Sequence, residues 1–292
     1  MIVVEAVFLL LFWAWVFSAA LFLRNTILPK LPLNPIPAEQ PVPAETVQFS
    51  ATDGLRLEGW KIPSQSGRPW IILCHGVGAN RSDLLSIAAG LHQAGFNLFL
   101  FDFRGHGPSQ GRTTSFGWTE QRDLEGALAY LGSQPEIPAK SYGIYGISMG
   151  GAVALMVAGQ DERLGAIAAD SPYGQLDESL ARHIKLMYPF MPRVPFVPFV
   201  EATYRLRFGV WPRQVSPRQA AARLGQRPLL LIQGDDDLRM PLEETKQLLA
   251  AATGPKELWV VGGSGHLTGF SHDPAVYLNK LISFFNMHLT PA

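Results

Sequence analysis

The chain reads as an α/β fold, a mostly parallel eight-stranded sheet with helices on both faces. Two observations predict it. Short continuous apolar runs alternate with longer helical patterns from residue 45 to the C-terminus, and that alternation builds a parallel sheet covered by helices. Several of the runs also end in glycine-containing loops that carry Ser, His or Asp, which is where such sheets place their chemistry.

Taken in order, Thr46–Ser50 and Leu55–Pro63 flank Asp53-Gly54, a turn pair that predicts a hairpin and makes the sheet mixed. Trp70–Cys74 and Phe96–Phe101 are continuously apolar, as strands buried on both faces must be. Helical patterns follow at about 81–94 and 118–132. Tyr142–Gly146, Gly165–Asp170, Pro228–Gln233 and Glu257–Val261 supply four more strands. Helices are expected near 149–159, 240–251 and 274–288. No internal repeat is visible.

Composition narrows the function classes. Charged residues are 16% of 292, and 24 basic residues balance 24 acidic ones. No basic patch or motif for nucleic acid is present. The single cysteine, Cys74, closes an apolar run and reads as a buried small hydrophobe rather than a nucleophile. No Cys/His cluster has metal spacing, so neither metal nor cofactor is expected.

The chemistry concentrates in three loops. Gly146-Ile-Ser-Met-Gly150 lies between a strand and a run of small helix formers. A serine on so sharp a turn has its hydroxyl pushed clear of the sheet, and the flanking glycines avoid side-chain clashes. Leu229-Leu-Leu-Ile-Gln-Gly-Asp-Asp-Asp237 is a strand ending in three carboxylates, and Glu257-Leu-Trp-Val-Val-Gly-Gly-Ser-Gly-His266 is a strand ending in a histidine. Ser148 is the candidate nucleophile and His266 the base that would take its proton. Asp235, Asp236 and Asp237 all stand in the acid loop, and Asp170 ends the preceding strand as a further candidate. His75, His106 and His272 compete with His266, while Asp102 and Arg104 read as structural partners that tie loops together.

With these residues in hand, the chain resembles the α/β-hydrolase superfamily from about residue 46 to 289. Asp53-Gly-Leu-Arg-Leu-Glu-Gly-Trp60 looks like the opening hairpin of these enzymes, His75-Gly-Val-Gly78 like their oxyanion loop, and Phe101-Asp-Phe-Arg-Gly-His-Gly-Pro-Ser109 like their signature after the fourth strand. YqkD-like and serine-aminopeptidase-like hydrolases are the most similar subgroup. The resemblance implies an α/β-hydrolase fold with a cap insertion at about 172–215. It selects Asp237 as the acid, three residues after Gly234 and four before Pro241. It also implies an oxyanion hole made by the backbone N–H groups of Val77 and Met149.

Two segments flank or interrupt this domain. Residues 1–23 are apolar except for Glu5 and Ser18, and as a helix they would be long enough to cross a bilayer. They predict a single-pass membrane anchor, with a cleaved signal peptide as the rival reading. Arg24 and Lys30 after it place the catalytic part in the cytoplasm. Residues 24–44 hold six prolines and predict a stiff linker to the domain at 45–292. Between Arg182 and Arg213, six Lys/Arg stand against Glu201, together with seven aromatic residues. That section predicts a cap whose apolar side packs on the core and whose aromatics, Phe196 and Phe199 among them, could also rest on lipid. The expected substrate is a small lipophilic ester or acyl compound, opened by a serine hydrolase. Thioester or amide cleavage is the alternative chemistry, and a non-catalytic binding protein the alternative class.

Overall fold

The computed structural model describes residues 2–27, 41–64, 68–137, 141–190 and 192–289. In chain order the elements are α1 (Ile2–Ile27), β1 (Glu45–Ser50), β2 (Arg56–Ile62), β3 (Trp70–Cys74), α2 (Leu85–Gln93), β4 (Asn97–Phe101), α3 (Gln121–Gly132), β5 (Tyr142–Ile147), α4 (Met149–Ala158) and β6 (Leu164–Asp170). Then follow α5 (Leu176–Met187), α6 (Arg193–Phe208), α7 (Pro217–Ala221), β7 (Leu229–Gly234), α8 (Leu242–Ala251), β8 (Lys256–Val261), α9 (Gly269–His272) and α10 (Pro274–His288).

The eight strands form one sheet in the order β1-β2-β4-β3-β5-β6-β7-β8. The hairpin β1–β2 is antiparallel and joins β4 antiparallel, and every later pairing is parallel. Alternate side chains along each strand point to opposite faces, so one sheet serves two cores. Ile72, Cys74, Ile144 and Leu231 face α3, α4 and α8. Ile71, Leu73, Tyr145 and Leu230 face α2 and α10. The apolar strands of the sheet centre are thereby buried from end to end.

Two expected helices start later than their patterns do. Residues 81–84 form a 3₁₀ turn ahead of α2. There the Asn80 side chain accepts from Ser82 N–H, and Asp83 accepts from Asn80 N–H. The helix expected from 118 begins at Gln121 because Glu120 gathers the loop before it. Its carboxylate accepts from the Thr114 and Ser115 hydroxyls and from the Ser115 and Gly117 N–H groups.

The expected cap region resolves into two helices. Leu176, Leu180 and Ile184 repeat at helical spacing and are all buried, which gives α5 its apolar face. In α6, Val194 is not helical (φ −108°, ψ 130°), so the regular turns begin at Pro195. Pro195 and Pro198 then fall among the first four residues, whose N–H groups have no acceptor in any helix. Phe196, Val200 and Tyr204 are buried, and the Tyr204 hydroxyl donates to Ser115 O at 2.8 Å.

The N-terminal segment corrects one expectation. It is helical, but among the described residues no helix is long and apolar enough to cross a membrane. The single-pass membrane localisation, and the cytoplasmic side assigned from it, are therefore overturned. A spanning helix needs about 20 consecutive apolar residues facing lipid. Here α1 instead turns Trp15 toward protein, with ring centroids 6.1 Å from Phe196 and 5.0 Å from Phe199. The two aromatics offered as a lipid-facing surface are thus engaged, and Phe196 is fully buried. Most of the proline-rich linker lies outside the described residues.

Buried ion pairs tie the hairpin and helices to the sheet. Arg104 makes a fork to Asp53 at 2.9 Å on both arms and binds Asp123 at 2.9 and 2.6 Å. The backbone N–H of Arg104 also donates to Asp123. Asp123 is completely buried, so removing it takes away the buried partner of the Arg104 guanidinium and leaves only the half-buried Asp53. Asp123→Ala is expected to cost about 3–5 kcal/mol. Urea unfolding of the variant would read this as a lowered midpoint.

Candidate active site

The site grows from a strand that stops abruptly. β5 ends at Ile147, and Ser148 turns the chain with φ 51° and ψ −118° before α4 begins at Met149. Such backbone angles are costly for a residue with a side chain and are held only by surrounding structure. Ser148 N–H donates to Asp170 O at 2.8 Å, and Ser148 O accepts from Ala152 N–H at 3.0 Å. A Cβ at Gly146 would lie 2.4 Å from Gly150 O, and one at Gly150 would lie 2.3 Å from Cys74 O. The glycines are required because backbone of the first turn of α4 and of the end of β3 occupies that space.

His266 sits in the loop after β8 and reaches both partners. Its Nε2 is 3.1 Å from Ser148 Oγ, and its Nδ1 is 2.7 Å from Asp237 Oδ2. With Nδ1–H donating to the carboxylate, Nε2 is left as an acceptor for the serine hydroxyl. A histidine held this way can take the hydroxyl proton as the serine attacks, and the acid keeps it in the right tautomer.

Asp237 follows β7 and is almost wholly buried. Its Oδ1 accepts from Arg239 N–H at 2.8 Å and Met240 N–H at 2.9 Å. Burial works to raise its pKa. The His266 bond and charge, with the two backbone donors, outweigh that and hold the carboxyl below the usual range. Gln233 Nε2 also donates to Asp237 Oδ2, at 3.1 Å, and to Met240 O, at 2.8 Å. Gln233 is in turn fixed by the Thr245 hydroxyl at 2.7 Å. Sequence reasoning passed over Gln233, although one amide at the end of a buried aliphatic strand was the available signal.

The competing candidates have other work. Asp170 is buried, accepting from the Tyr277 hydroxyl at 2.6 Å and the Ser171 hydroxyl at 2.7 Å. Its service to the site is through its backbone carbonyl, which holds the Ser148 N–H. His75 is fully buried; its Nδ1 lies 2.7 Å from Gly76 O and its Nε2 accepts from Phe103 N–H. Burial, with the nearby His106, keeps its pKa well below the ordinary value. His106 Nε2 accepts from Gly78 N–H at 3.2 Å. Both imidazoles thus brace the Gly76–Gly78 loop. Asp102 takes the Arg81 N–H at 2.7 Å and the Arg81 guanidinium. Asp235 and Asp236 are exposed, and Cys74 is buried with its thiol pKa pushed up by desolvation.

A pocket of about 420 Å³ opens onto Ser148. Phe116, Leu176, Leu180, Met187, Met240 and Leu267 supply much of its wall, and Val77 and Met149 also border it. Neither the Val77 nor the Met149 N–H is taken by another backbone acceptor among the described residues. No group of His, Cys, Asp or Glu among the described residues could hold a metal ion.

The strand order and the strained turn at the end of β5 are the architecture of an α/β hydrolase. The chain belongs to the α/β hydrolase family, whose model matches residues 71–279. It is 30% identical over 235 residues to the uncharacterized protein YqkD of Bacillus subtilis (strain 168), covering 80% of this chain and 76% of that one. To the uncharacterized protein YfhR of Escherichia coli (strain K12) it is 29% identical over 266 residues, covering 89% and 87%. Among solved structures, an esterase of Pyrococcus furiosus superimposes with a TM-score of 0.73 at 25% identity, over 90% of this chain and 99% of that one.

The turn itself is testable. In Gly150→Ala the new methyl group must displace backbone at Cys74 and His75, where it would lie 2.3 and 2.5 Å from the carbonyl oxygens. Overpacking against backbone is expected to cost at least about 2 kcal/mol. A thermal or urea melt should register that loss, whereas Gly209→Ala, with nothing within 4 Å but a φ of 76°, should lose only about 1 kcal/mol.

Proposed function

We propose that the protein is a serine hydrolase that cleaves carboxylic esters with an apolar acyl group through an acyl-Ser148 intermediate. The observation that carries this reading is the continuous hydrogen-bonded chain Asp237–His266–Ser148, ending at the mouth of an apolar pocket. The esterase among the structural relatives supports the same reading.

In this mechanism Ser148 Oγ attacks the ester carbonyl carbon while His266 Nε2 takes the hydroxyl proton. The tetrahedral oxyanion is stabilised by the Val77 and Met149 N–H groups, and loss of one such donor typically costs about 3 kcal/mol of barrier. As the carbon–oxygen bond to the leaving group breaks, His266 returns the proton to the departing alkoxide, which leaves as the alcohol. Water then attacks the acyl carbon, His266 accepts a proton from it, and Ser148 recovers that proton as the carboxylic acid departs. The sum is ester plus water giving acid plus alcohol, and the residues carry every proton without a cofactor.

Asp237 holds the His266 tautomer that accepts from serine and stabilises the imidazolium that forms. The pocket volume falls in the range of small-molecule sites, and its aliphatic wall suits the hydrocarbon part of an acyl chain.

A fluorophosphonate probe tests the proposal. The parent protein is expected to label covalently and to hydrolyse 4-nitrophenyl butanoate, and Ser148→Ala to do neither. Asp237→Asn should retain the fold and lose about 10⁴-fold in kcat, because the amide favours the wrong imidazole tautomer. A folded parent that neither labels nor turns over any ester would sink the reading.

A further inference from the structure

The pocket beside Ser148 carries an unusual balance of charge. Its wall includes one permanently charged side chain, Arg239, and no Asp or Glu. His183, His266 and the buried Tyr173 are its other titratable members. Arg239 lies two residues after Asp237, and its backbone N–H is pinned to the Asp237 carboxylate at 2.8 Å. The backbone that carries this side chain is therefore held by the same loop that fixes the acid.

That guanidinium is exposed at the pocket wall and has no ion-pair partner among the described residues. The contrast with its neighbours is informative. Arg182 is paired with Glu244, Arg218 with Glu178, Arg104 with Asp53 and Asp123, and Arg81 with Glu58 and Asp102. Other arginines also lack an ion pair among the described residues, but of these Arg239 is the one that lines the pocket beside Ser148.

His183 does not compete with it for an anion. Its Nδ1 donates to Ser179 O at 2.9 Å. Burial lowers its pKa, the Ser179 bond works against that, and the charges of Arg239 and His266 lower it further. With Nδ1 committed to Ser179 O and protonation disfavoured by burial, His183 leaves Arg239 as the permanent charge of this wall.

We propose that the pocket selects esters that carry a carboxylate, and that Arg239 is the residue that binds it. A guanidinium presents a planar fork of donors that matches a carboxylate in two parallel hydrogen bonds. The apolar wall holds the hydrocarbon between the scissile bond and the charge, and Arg239 fixes the distal end. The substrate class is then a half-ester or an ester of a hydroxy acid. Arg239 acts as a specificity residue, because it touches a part of the substrate remote from the reacting atoms. This inference rests on the reading of Ser148 as the nucleophile.

The test uses the full chain and two matched pairs of substrates. One pair places the charge on the acyl side: the 4-nitrophenyl half-ester of adipic acid against 4-nitrophenyl hexanoate. The other places it on the alcohol side: the butanoyl ester of 4-hydroxyphenylacetate against that of 4-methylphenol. In at least one pair the carboxylate-bearing ester is expected to show a kcat/KM at least about tenfold higher, since a hydrogen bond to a charged group is worth about one such factor or more. The gain should sit mainly in KM and shrink as salt screens the contact. Arg239→Gln should bring the ratio within that pair to near one, and Arg239→Lys should keep part of it.

A parent that favours the uncharged member of both pairs overturns the inference, as does an Arg239→Gln variant that keeps the parent's ratio. If the protein labels with fluorophosphonate and hydrolyses the neutral esters without any charge preference, the carboxylate inference alone fails. If it neither labels nor hydrolyses, the Ser148 reading fails and takes this inference with it.

Discussion

The structure depends on how closely three strands can end side by side. β3, β5 and β6 finish in register, with Cys74 beside Gly146 and Ile147 beside Asp170. Into the gap above them the chain must turn from strand to helix within one residue. That is possible because Gly146 and Gly150 let carbonyl groups occupy the space a side chain would need. The cost is the strained Ser148 backbone, and it is met by the Ser148 N–H bond to Asp170 O and by a fully buried α4 beneath. The serine hydroxyl is presented because the backbone has nowhere else to go.

Around that turn the protein spends buried charge on rigidity. Arg81, Asp102 and Glu58 lock the loop after β3 to the β2–β4 region. Arg104, Asp53 and Asp123 lock the hairpin to α3. Ions out of water are costly unless their partners are complete, and a completed set admits few alternative geometries. His75 and His106 extend the same bracing to the Gly76–Gly78 loop as neutral acceptors of backbone N–H groups. The loop opposite the serine is thereby held by the ion pairs behind it and by these two imidazoles.

The α5–α6 pair closes one side of the site. Leu176, Leu180 and Met187 of α5 turn toward the cavity, and α6 backs the assembly with Phe196, Val200 and Tyr204. α1 reaches the same assembly through Trp15. The cavity so formed has a largely apolar wall and one permanently charged lining residue, Arg239.

Much of this was legible in the residues alone. Composition set the central strands, because a strand buried on both faces must be continuously apolar, and the Asp53-Gly54 turn set the hairpin at the edge. The Gly-x-Ser-x-Gly turn and a histidine at a later strand end followed from local chemistry and chain order, while the choice of Asp237 among four candidate carboxylates came from the resemblance to the α/β hydrolases. Other features were not legible. Gln233 looks like one polar residue in an aliphatic strand until Asp237, Met240 and Thr245 close around it. The apolar N-terminal segment reads as a membrane span because hydropathy along the chain carries no information about what lies across from it, and only the fold brings Trp15 to α6. Arg239 is one arginine among many in the sequence. Its isolation is a property of distances to every acid around it, and such distances exist only once the chain has folded.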